Sequence, residues 1–303
     1  MTAPRIVPCL WLDDQAEAAA RHWIRALGGR LVAASRYPES FDNPARRPRG
    51  SVLAVELEAG GVRFTALNGG PRFRPNPSVS FFVMLPSADE VDRVHEVLAE
   101  GGETLMPLRA WPWSERYGWV QDRYGVSWQL MLARDPGPRV VPCLLFAGAQ
   151  AGRAEVAMAF WTAALPGGRV VSVSRYQAGE GPVGQVKHGR FQLLGQDLAA
   201  TDSHLGHGFA FDEGVSLQVR CRDQAEVDRC WAILADGGSH GRCGWLRDRF
   251  GVSWQVVPDA ITHWLSEGVP AARERACRAI WSMEKLDAAA IDGAWEGEGG
   301  HAE

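Results

Sequence analysis

The sequence places few reactive side chains at the spacings that catalysis or metal binding usually needs. His204 and His207 form an HxxH pair close to Asp202, and such a group could supply metal ligands. The pair lies in a glycine-containing segment without further ligands, so a structural or solvent-facing role is the stronger interpretation. Ser127 and Ser253 lie inside predicted strands, and no histidine accompanies both of them, which gives no support for acyl transfer.

The cysteines also give no sign of redox or nucleophilic chemistry. The six cysteines include no CxxC pair, and a chain of this size does not need disulfides for stability. Cys9 and Cys143 occupy matching places in apolar segments, which favours small buried residues over a reactive pair. We therefore expect free thiols without a catalytic role.

Length and composition predict about two globular domains for the 303 residues. Hydrophobic residues make up 46%, charged residues 22%, and the net charge of −4 provides no broad basic field, so nucleic acid is not an expected partner. The N-terminal residues lack a signal-peptide pattern, and no apolar stretch approaches the roughly 18–20 residues that a membrane span needs. These features predict a cytoplasmic protein without membrane contact.

An internal repeat organises the chain. Residues 118–129 read GWVQDRYGVSWQ and residues 244–255 read GWLRDRFGVSWQ, so nine of twelve positions are identical. The intervening residues 134–138 contain two prolines and a glycine, which favour a turn between domains. The predicted organisation is a first domain over 1–134, a linker over 135–138, a second domain over 139–258, a helical segment over 259–296 and a disordered tail over 297–303.

Each repeat is predicted to consist of two βαβββ units. In the first repeat, apolar periodicity predicts helices over 16–27 and 87–99, the second capped by Ser87, and strands over 31–37, 51–58, 62–67, 79–85 and 126–132. Residues 103–117, which include Trp111 and Trp113, are predicted to form a loop. The corresponding loop of the second repeat is only five residues long, 239–243. The two pockets are therefore expected to differ.

The repeated motif, together with Pro-Cys-Leu at 8–10 and 142–144, resembles the PhnB-like branch of the vicinal oxygen chelate superfamily. The resemblance covers residues 5–132 and 139–258. It implies an α+β fold of tandem domains, each with two βαβββ units in a cupped, incomplete barrel-like mixed sheet. It also implies a monomeric pseudo-dimer that replaces the homodimer of single-copy relatives, with further dimerisation left open. Many members carry the name 3-demethylubiquinone 3-methyltransferase.

The resemblance further implies where a metal ion would bind. Metal-dependent relatives, such as glyoxalases and extradiol dioxygenases, use His, Glu or Gln from the first, fourth, fifth and eighth strands. The matching pairs are Pro8 and Pro142, Thr65 and Gln192, Ser80 and Ser216, and Gln129 and Gln255. Proline has no side-chain donor, and the other side chains are neutral, so neither a metal nor another cofactor is expected, although a divalent metal is the open alternative.

The same positions suit a mostly apolar pocket with a few polar groups. The predicted ligand-binding residues are Pro8, Leu10, Leu12, Thr65, Ser127 and Gln129, with Trp111, Trp113 and Tyr117 either as a stacking lid or as packing for their own hairpin. A weaker second pocket is predicted from Pro142, Gln192, Ser253 and Gln255. Strand alternation places Trp128 and Trp254 in the core. Arg36 and Arg175 could meet an acidic ligand or be exposed cations.

Together these observations predict a non-metal protein that sequesters or senses an apolar or aromatic small molecule. The alternative is an enzyme of the superfamily, either a metal-dependent glyoxalase-like lyase or dioxygenase, or a methyltransferase as the family name suggests. A methyltransferase using S-adenosylmethionine usually needs a glycine-rich strand-to-helix loop, and no GxGxxG-like pattern follows a predicted strand here. A third possibility is an interaction module whose pocket is filled by the tryptophan loop.

Overall fold

The computed structural model describes residues 5–133 and 140–297. The first repeat contains the strands β1 (Ile6–Leu12), β2 (Gly29–Arg36), β3 (Val52–Ala59), β4 (Val62–Asn68), β5 (Val79–Leu85), β6 (Glu103–Trp111), β7 (Ser114–Gln121) and β8 (Ser127–Leu132), with helices α1 (Ala16–Leu27) and α2 (Ala88–Ala99). The second contains β9 (Val140–Phe146), β10 (Arg169–Arg175), β11 (Val186–Leu193), β12 (Gln196–Asp202), β13 (Val215–Cys221), β14 (Ser239–His240), β15 (Trp245–Arg247) and β16 (Ser253–Pro258), with α3 (Ala154–Ala164) and α4 (Gln224–Leu234). The helices α5 (Ile261–Ser266), α6 (Pro270–Ser282) and α7 (Ala288–Glu296) follow.

These elements form two eight-stranded mixed sheets, and each sheet takes one βαβββ unit from each repeat. The first sheet has the order β14-β15-β16-β13-β1-β4-β3-β2, and the second has the order β10-β11-β12-β9-β5-β8-β7-β6. At the two seams, β1 pairs antiparallel with β13 and β5 pairs antiparallel with β9. The α+β class and the cupped pairs of βαβββ units are confirmed, while the exchange of units between repeats is an additional finding. The domain boundaries at 134 and 139 stay a prediction.

The predicted helices of the first repeat are confirmed. Helix α1 is rich in alanine, and Trp23 and Ala26 lie on its buried face; it ends where Gly28 takes a positive φ of 73°. Helix α2 begins after Ser87, whose hydroxyl accepts a hydrogen bond from the backbone N–H of Glu90 at 3.2 Å. Helix α1 packs against β3 and β4 of the first sheet, and helix α2 packs against β7 and β8 of the second.

The repeated motif builds a buried hydrogen-bonded turn. In the first repeat, Asp122 Oδ2 accepts hydrogen bonds from the indole N–H groups of Trp23 at 2.7 Å and Trp128 at 2.9 Å. Its Oδ1 accepts from the backbone N–H groups of Tyr124 at 2.9 Å and Val126 at 3.0 Å. Burial raises the pKa of this carboxyl, and the four N–H donors lower it.

The second repeat reproduces this arrangement around Asp248. Its carboxylate accepts from the indoles of Trp161 at 2.8 Å and Trp254 at 2.9 Å, and from the backbone N–H groups of Phe250 and Val252. Trp128 and Trp254 are both fully buried, which confirms their predicted place in the core. The most recognisable motif of the sequence is therefore a structural device that joins a helix, a turn and a strand.

The C-terminal segment packs against the first sheet. Within the segment predicted as helical, 259–296, the longest helix is α6, which begins with Pro270 in its first turn. Glu274 on this helix accepts hydrogen bonds from Ser40, and Thr262 on α5 reaches Glu56 on β3. Within residues 5–133 and 140–297, every helix is too short or too polar to span a lipid bilayer.

One predicted loop is regular structure. Residues 103–117, expected to be a loop, form most of the hairpin β6–β7 at the edge of the second sheet. The pairing register shifts three times along this hairpin, between Thr104 and Trp111. These shifts interrupt the alternation that would mark a strand in the sequence, which explains the incorrect expectation.

Candidate functional site

The concave side of the first sheet holds a cavity of about 660 Å³. The strands β1, β3, β4, β13 and β16 form its floor and walls, and α5 with the end of α6 covers one side. Its aromatic lining consists of Trp11, Tyr37, Phe73, Trp245 and Trp281. The cavity therefore lies between the first unit of one repeat and the last unit of the other.

Trp11 forms a fixed wall of this cavity. Its indole N–H donates to the carbonyl of Gly70 at 2.8 Å, and its ring lies 5.1 Å from Phe73 and 5.7 Å from Trp245 in edge-to-face geometry. A Cβ on Gly69 would lie only 2.2 Å from this indole. Glycine at that position is thus a condition for the close packing of Trp11 against the loop.

A chain of neutral polar side chains crosses the floor. Thr65 on β4 donates to Gln218 Oε1 at 3.1 Å, and the Gln218 amide donates to Gln255 Oε1 at 3.0 Å. The Gln255 amide in turn donates to the hydroxyl of Ser216 at 2.8 Å. All four residues are buried, and the hydrogen bonds among them satisfy much of their bonding capacity.

A buried ion pair lies beside this chain. Arg220 on β13 donates to Glu56 Oε1 at 2.7 Å and to Gln218 Oε1 at 3.0 Å, and it also donates to the hydroxyl of Thr262 at 2.9 Å. The Thr262 hydroxyl donates to the same Glu56 oxygen. These contacts connect the floor of the cavity to α5, so the covering segment is held by charge-assisted hydrogen bonds.

Cys9 occupies the centre of the floor, between Ser216 on one neighbouring strand and Thr65 on the other. Burial raises the pKa of its thiol to about 11, although hydrogen bonds with Gln255 and Ser216 lower it. The thiol is therefore protonated at neutral pH. This agrees with the inert role that the sequence suggests.

The structure redistributes the predicted site residues between the two sheets. Thr65, Gln255 and the buried Ser253 lie on the first sheet, which joins a residue predicted for one pocket with two predicted for the other. Ser127 and Gln129, which were expected beside Thr65, lie on β8 in the second sheet. The reason is the exchange of units across the seams, which no local pattern reveals.

Three predicted residues of β1 face the other side of the sheet. Leu10 and Leu12 belong to the core packed against α1, and Pro8 shares their parity. Cys9 and Trp11 face the cavity instead. Pro142 repeats this placement on β9, one residue before the inward-facing counterpart of Cys9, so the predicted inward orientation of both prolines is wrong.

Gln192 also lies away from its predicted place on the fourth strand of its unit. It belongs to β11, the third strand, where it accepts a hydrogen bond from Arg169 at 2.9 Å and donates to Asp197 at 2.9 Å. The position that matches Thr65 is Ala199, which pairs with Cys143 as Thr65 pairs with Cys9. Ala199 follows Thr65 by the same 134 residues that separate Cys143 from Cys9, so the constant spacing of the two repeats points to Ala199 rather than Gln192.

The second cup differs from the first. Its interior contains an apolar cluster of Phe82, Met84, Val141, Cys143 and Ala199. A polar chain lies beside the cluster: Tyr117 donates to Gln129 Oε1 at 2.6 Å, and the Gln129 amide donates to Ser80 at 2.8 Å. Burial raises the pKa of Cys143 to about 12.

The tryptophans of the hairpin β6–β7 lie at the edge of this second cup. Trp111 and Trp113 stack with ring centroids 5.3 Å apart, and Trp113 contacts Tyr117 edge-to-face at 5.5 Å. Arg109 lies 4.1 Å above the Trp111 ring. The hairpin packs on itself in a different cup from Thr65, so a role as a lid over the first cavity does not fit.

The remaining candidates lie outside the cavity. The His207 ring hydrogen-bonds with Ser203 at 2.8 Å, and His204 contacts the ring of Tyr176, so both histidines have local partners. Arg36 donates to the carbonyl of Gly50, and Arg175 pairs with Glu155 at 2.5 Å. Tyr37, rather than Arg36, faces the cavity.

Glu56, Arg220, Trp11, Trp245 and Trp281 were missed as site residues. Glu56 is one of two glutamates within an otherwise apolar strand, and this was the one local signal available. The other four come from separate segments that only the folded chain brings together.

The inward-facing residues do not fit a divalent metal ion. Cys9, Thr65, Gln218 and Gln255 occupy the centre of the cup; the thiol is protonated, and the hydroxyl and amides are neutral and bonded to one another. Among the residues described, no three His, Cys, Asp or Glu side chains converge as a metal site would require. The donor set supports hydrogen bonding to an organic molecule.

Comparisons with known proteins agree with this architecture. A profile of the family described as 3-demethylubiquinone-9 3-methyltransferase matches residues 4–131 and again 138–257. A PhnB protein from Bacillus cereus is 31% identical over 42% of this chain and 98% of its own, with a TM-score of 0.38. Glyoxalase I from Zea mays is 12% identical and superposes over 85% of this chain and 93% of its own with a TM-score of 0.54, a likeness of fold. No functionally curated protein matches the chain significantly.

Proposed function

The chain belongs to the PhnB-like family described as 3-demethylubiquinone-9 3-methyltransferase, within the vicinal oxygen chelate superfamily, and on this premise we propose that it binds an apolar or aromatic small molecule without a metal ion. The binding site is the cavity of the first sheet. Binding serves to sequester or sense the molecule rather than to transform it.

The observation that carries this proposal is the lining of the cavity. Its volume of about 660 Å³ falls within the roughly 300–1,000 Å³ typical of sites for small organic ligands. Trp11, Tyr37, Trp245 and Trp281 present aromatic surface, and a short polar floor supplies hydrogen bonds for orientation. Such a lining favours a flat, mostly apolar molecule.

The polar groups support binding more than catalysis. The Cys9 thiol has a raised pKa, and the floor amides bond to one another. A nucleophile or general base needs a free, activated group within reach of the substrate. Among the residues that the structure describes, Glu56 is the only carboxylate of the floor, and its Oε1 accepts hydrogen bonds from Arg220 and Thr262.

The difference between the two cups supports a site in the first. The concave side of the second sheet contains a packed cluster that includes Phe82 and Met84. In the first sheet the corresponding space is an open cavity, and α5 and α6 form one of its walls. The C-terminal segment thus forms part of the binding site. Leu265 and Trp281 from this segment would contact the ligand.

A cavity-filling substitution tests the proposal. Ala54 lines the cavity, and Ala54→Phe should occupy part of it; Ala159→Phe, on the exposed face of α3, is the matched control. Aromatic compounds should be screened by thermal denaturation, because a ligand at 100 times its Kd stabilises the native state by about 2.7 kcal/mol. We expect hits for the wild type and for Ala159→Phe, and weaker or no shifts for Ala54→Phe. Equal shifts in all three proteins would place binding elsewhere.

Two measurements test the enzymatic alternatives. Near-stoichiometric zinc, iron or manganese in the purified protein, lost in Gln255→Ala, would favour a metal-dependent enzyme over the proposed binding protein. Micromolar binding of S-adenosylmethionine by calorimetry would favour a methyltransferase.

A further inference from the structure

Three arginines surround the mouth of the cavity. Arg46, Arg72 and Arg242 line it, and all three are exposed. None of them forms a salt bridge with any residue that the structure describes; Arg72 lies 5.0 Å from the ring of Phe73. The mouth therefore carries three positive charges without matching carboxylates.

The other charges of the cavity are compensated. Glu56 and Arg220 pair in the floor, and Glu213, the only carboxylate at the mouth within residues 5–133 and 140–297, is held by Arg247 at 2.9 Å. A positive mouth on a chain whose net charge is −4 is a local feature, not a consequence of composition. Its field favours the entry and retention of an anion.

The backbone around two of these arginines is strained. Arg46 has φ 54° and Cys243, next to Arg242, has φ 61°; they are two of the three non-glycine residues with positive φ in the described parts of the chain. The loop of Arg46 is held by Asn43, which accepts from the backbone N–H of Arg47 at 3.0 Å and donates to its carbonyl at 2.8 Å. Strain of this kind persists where the surrounding structure enforces it, and it concentrates at ligand sites.

We propose that the ligand is an organic anion. Its aromatic or apolar body lies against Trp11, Trp245 and Trp281, and its carboxylate, sulfonate or phosphate group meets Arg46, Arg72 and Arg242 at the mouth. Guanidinium groups suit such anions because their N–H donors match the oxygen geometry. The inference rests on the proposed function, since it assumes that the cavity is the binding site.

The test compares two probes of the same shape, naphthoate and its neutral amide, by calorimetry at low ionic strength. For the wild type we expect naphthoate to bind about five- to twentyfold more tightly than the amide, the range that three partly exposed ion pairs supply. Added salt should weaken naphthoate binding and leave the amide unaffected.

The variant carries Arg46→Gln, Arg72→Gln and Arg242→Gln together. It should bind both probes with the affinity of the wild type for the amide. The matched control changes the exposed Arg21, Arg63 and Arg229 to glutamine, which alters the net charge equally and should keep the preference for naphthoate. Equal affinity of both probes in the wild type, or an unchanged preference in the mouth variant, overturns the anion inference alone. Failure of both probes to bind the wild type at millimolar concentration overturns the proposed function as well.

Discussion

The repeated motif makes a quantitative prediction about stability. Asp122 Oδ2 accepts two indole N–H groups, and Oδ1 accepts two backbone N–H groups. Asp122→Asn keeps the shape but replaces one oxygen with an amide nitrogen. In either orientation of the amide, two buried N–H donors then face a third donor at distances of 2.7–3.0 Å.

The cost follows from the two lost acceptors. A buried donor left without a partner costs about 1–3 kcal/mol, so two of them cost about 2–6 kcal/mol. Removal of a buried carboxylate charge offsets part of this, because burial raises the pKa of Asp122 and thus disfavours its charged form. We expect a net loss of about 2–4 kcal/mol in the free energy of unfolding.

The assay is urea unfolding followed by circular dichroism, with linear extrapolation to water. Asp248→Asn should show a similar loss, because its carboxylate makes the same four contacts in the other sheet. The control is Asp42→Asn, whose side chain is 90% exposed and should change stability by less than about 1 kcal/mol.

A further variant separates the hydrogen bond from packing. Trp128→Phe should cost less in an Asp122→Ala background than in the wild type, since the carboxylate that accepts its indole N–H is absent there. Surface substitutions usually change the free energy of unfolding by no more than about 0.5 kcal/mol. If the unfolding free energies of Asp122→Asn and Asp42→Asn differ by less than about this amount, the predicted loss is refuted.

Three other predictions concern the site and its surroundings. Gly69→Ala should displace Trp11, because the new Cβ would lie 2.2 Å from the indole, and should lower the affinity for aromatic ligands; Gly206→Ala, which meets nothing within 4 Å, is the control, and equal binding by both variants would show that Trp11 does not shape the site. Cys9, whose pKa burial raises to about 11, should resist iodoacetamide at pH 8 in the native protein and react after unfolding, as followed by mass spectrometry; rapid native alkylation would contradict its burial. Burial raises the pKa of Glu226, but hydrogen bonds from Arg5 and Arg222 lower it more, to about 2, so its contribution to stability is present above its ordinary pKa near 4.5 and is lost as the pH falls towards 2. The difference in unfolding free energy between wild type and Glu226→Gln should therefore shrink between pH 4.5 and 2, and a constant difference would argue against the ion pair with Arg5.

The sequence by itself determined the local elements. The twelve-residue motif recurs, so the repeat was visible directly, and alanine-rich periodicity with a glycine stop predicted α1 over Ala16–Leu27. Such signals depend only on neighbours within a few residues. Thr65 and Gln255 came instead from the resemblance, which matches them to the fourth- and eighth-strand positions of the family.

The tertiary structure decided the composition of the site. All seven residues of β1 are largely buried, so its sequence has no alternation to show that Cys9 and Trp11, rather than Pro8 and Leu10, face the cavity. The pairing of β1 with β13 joins chain segments about two hundred residues apart, and the energy of that seam is a property of both strands together. For the same reason the mouth arginines became a group only after folding: each is an ordinary surface cation in its own segment, and long-range strand pairing places the three around one cavity.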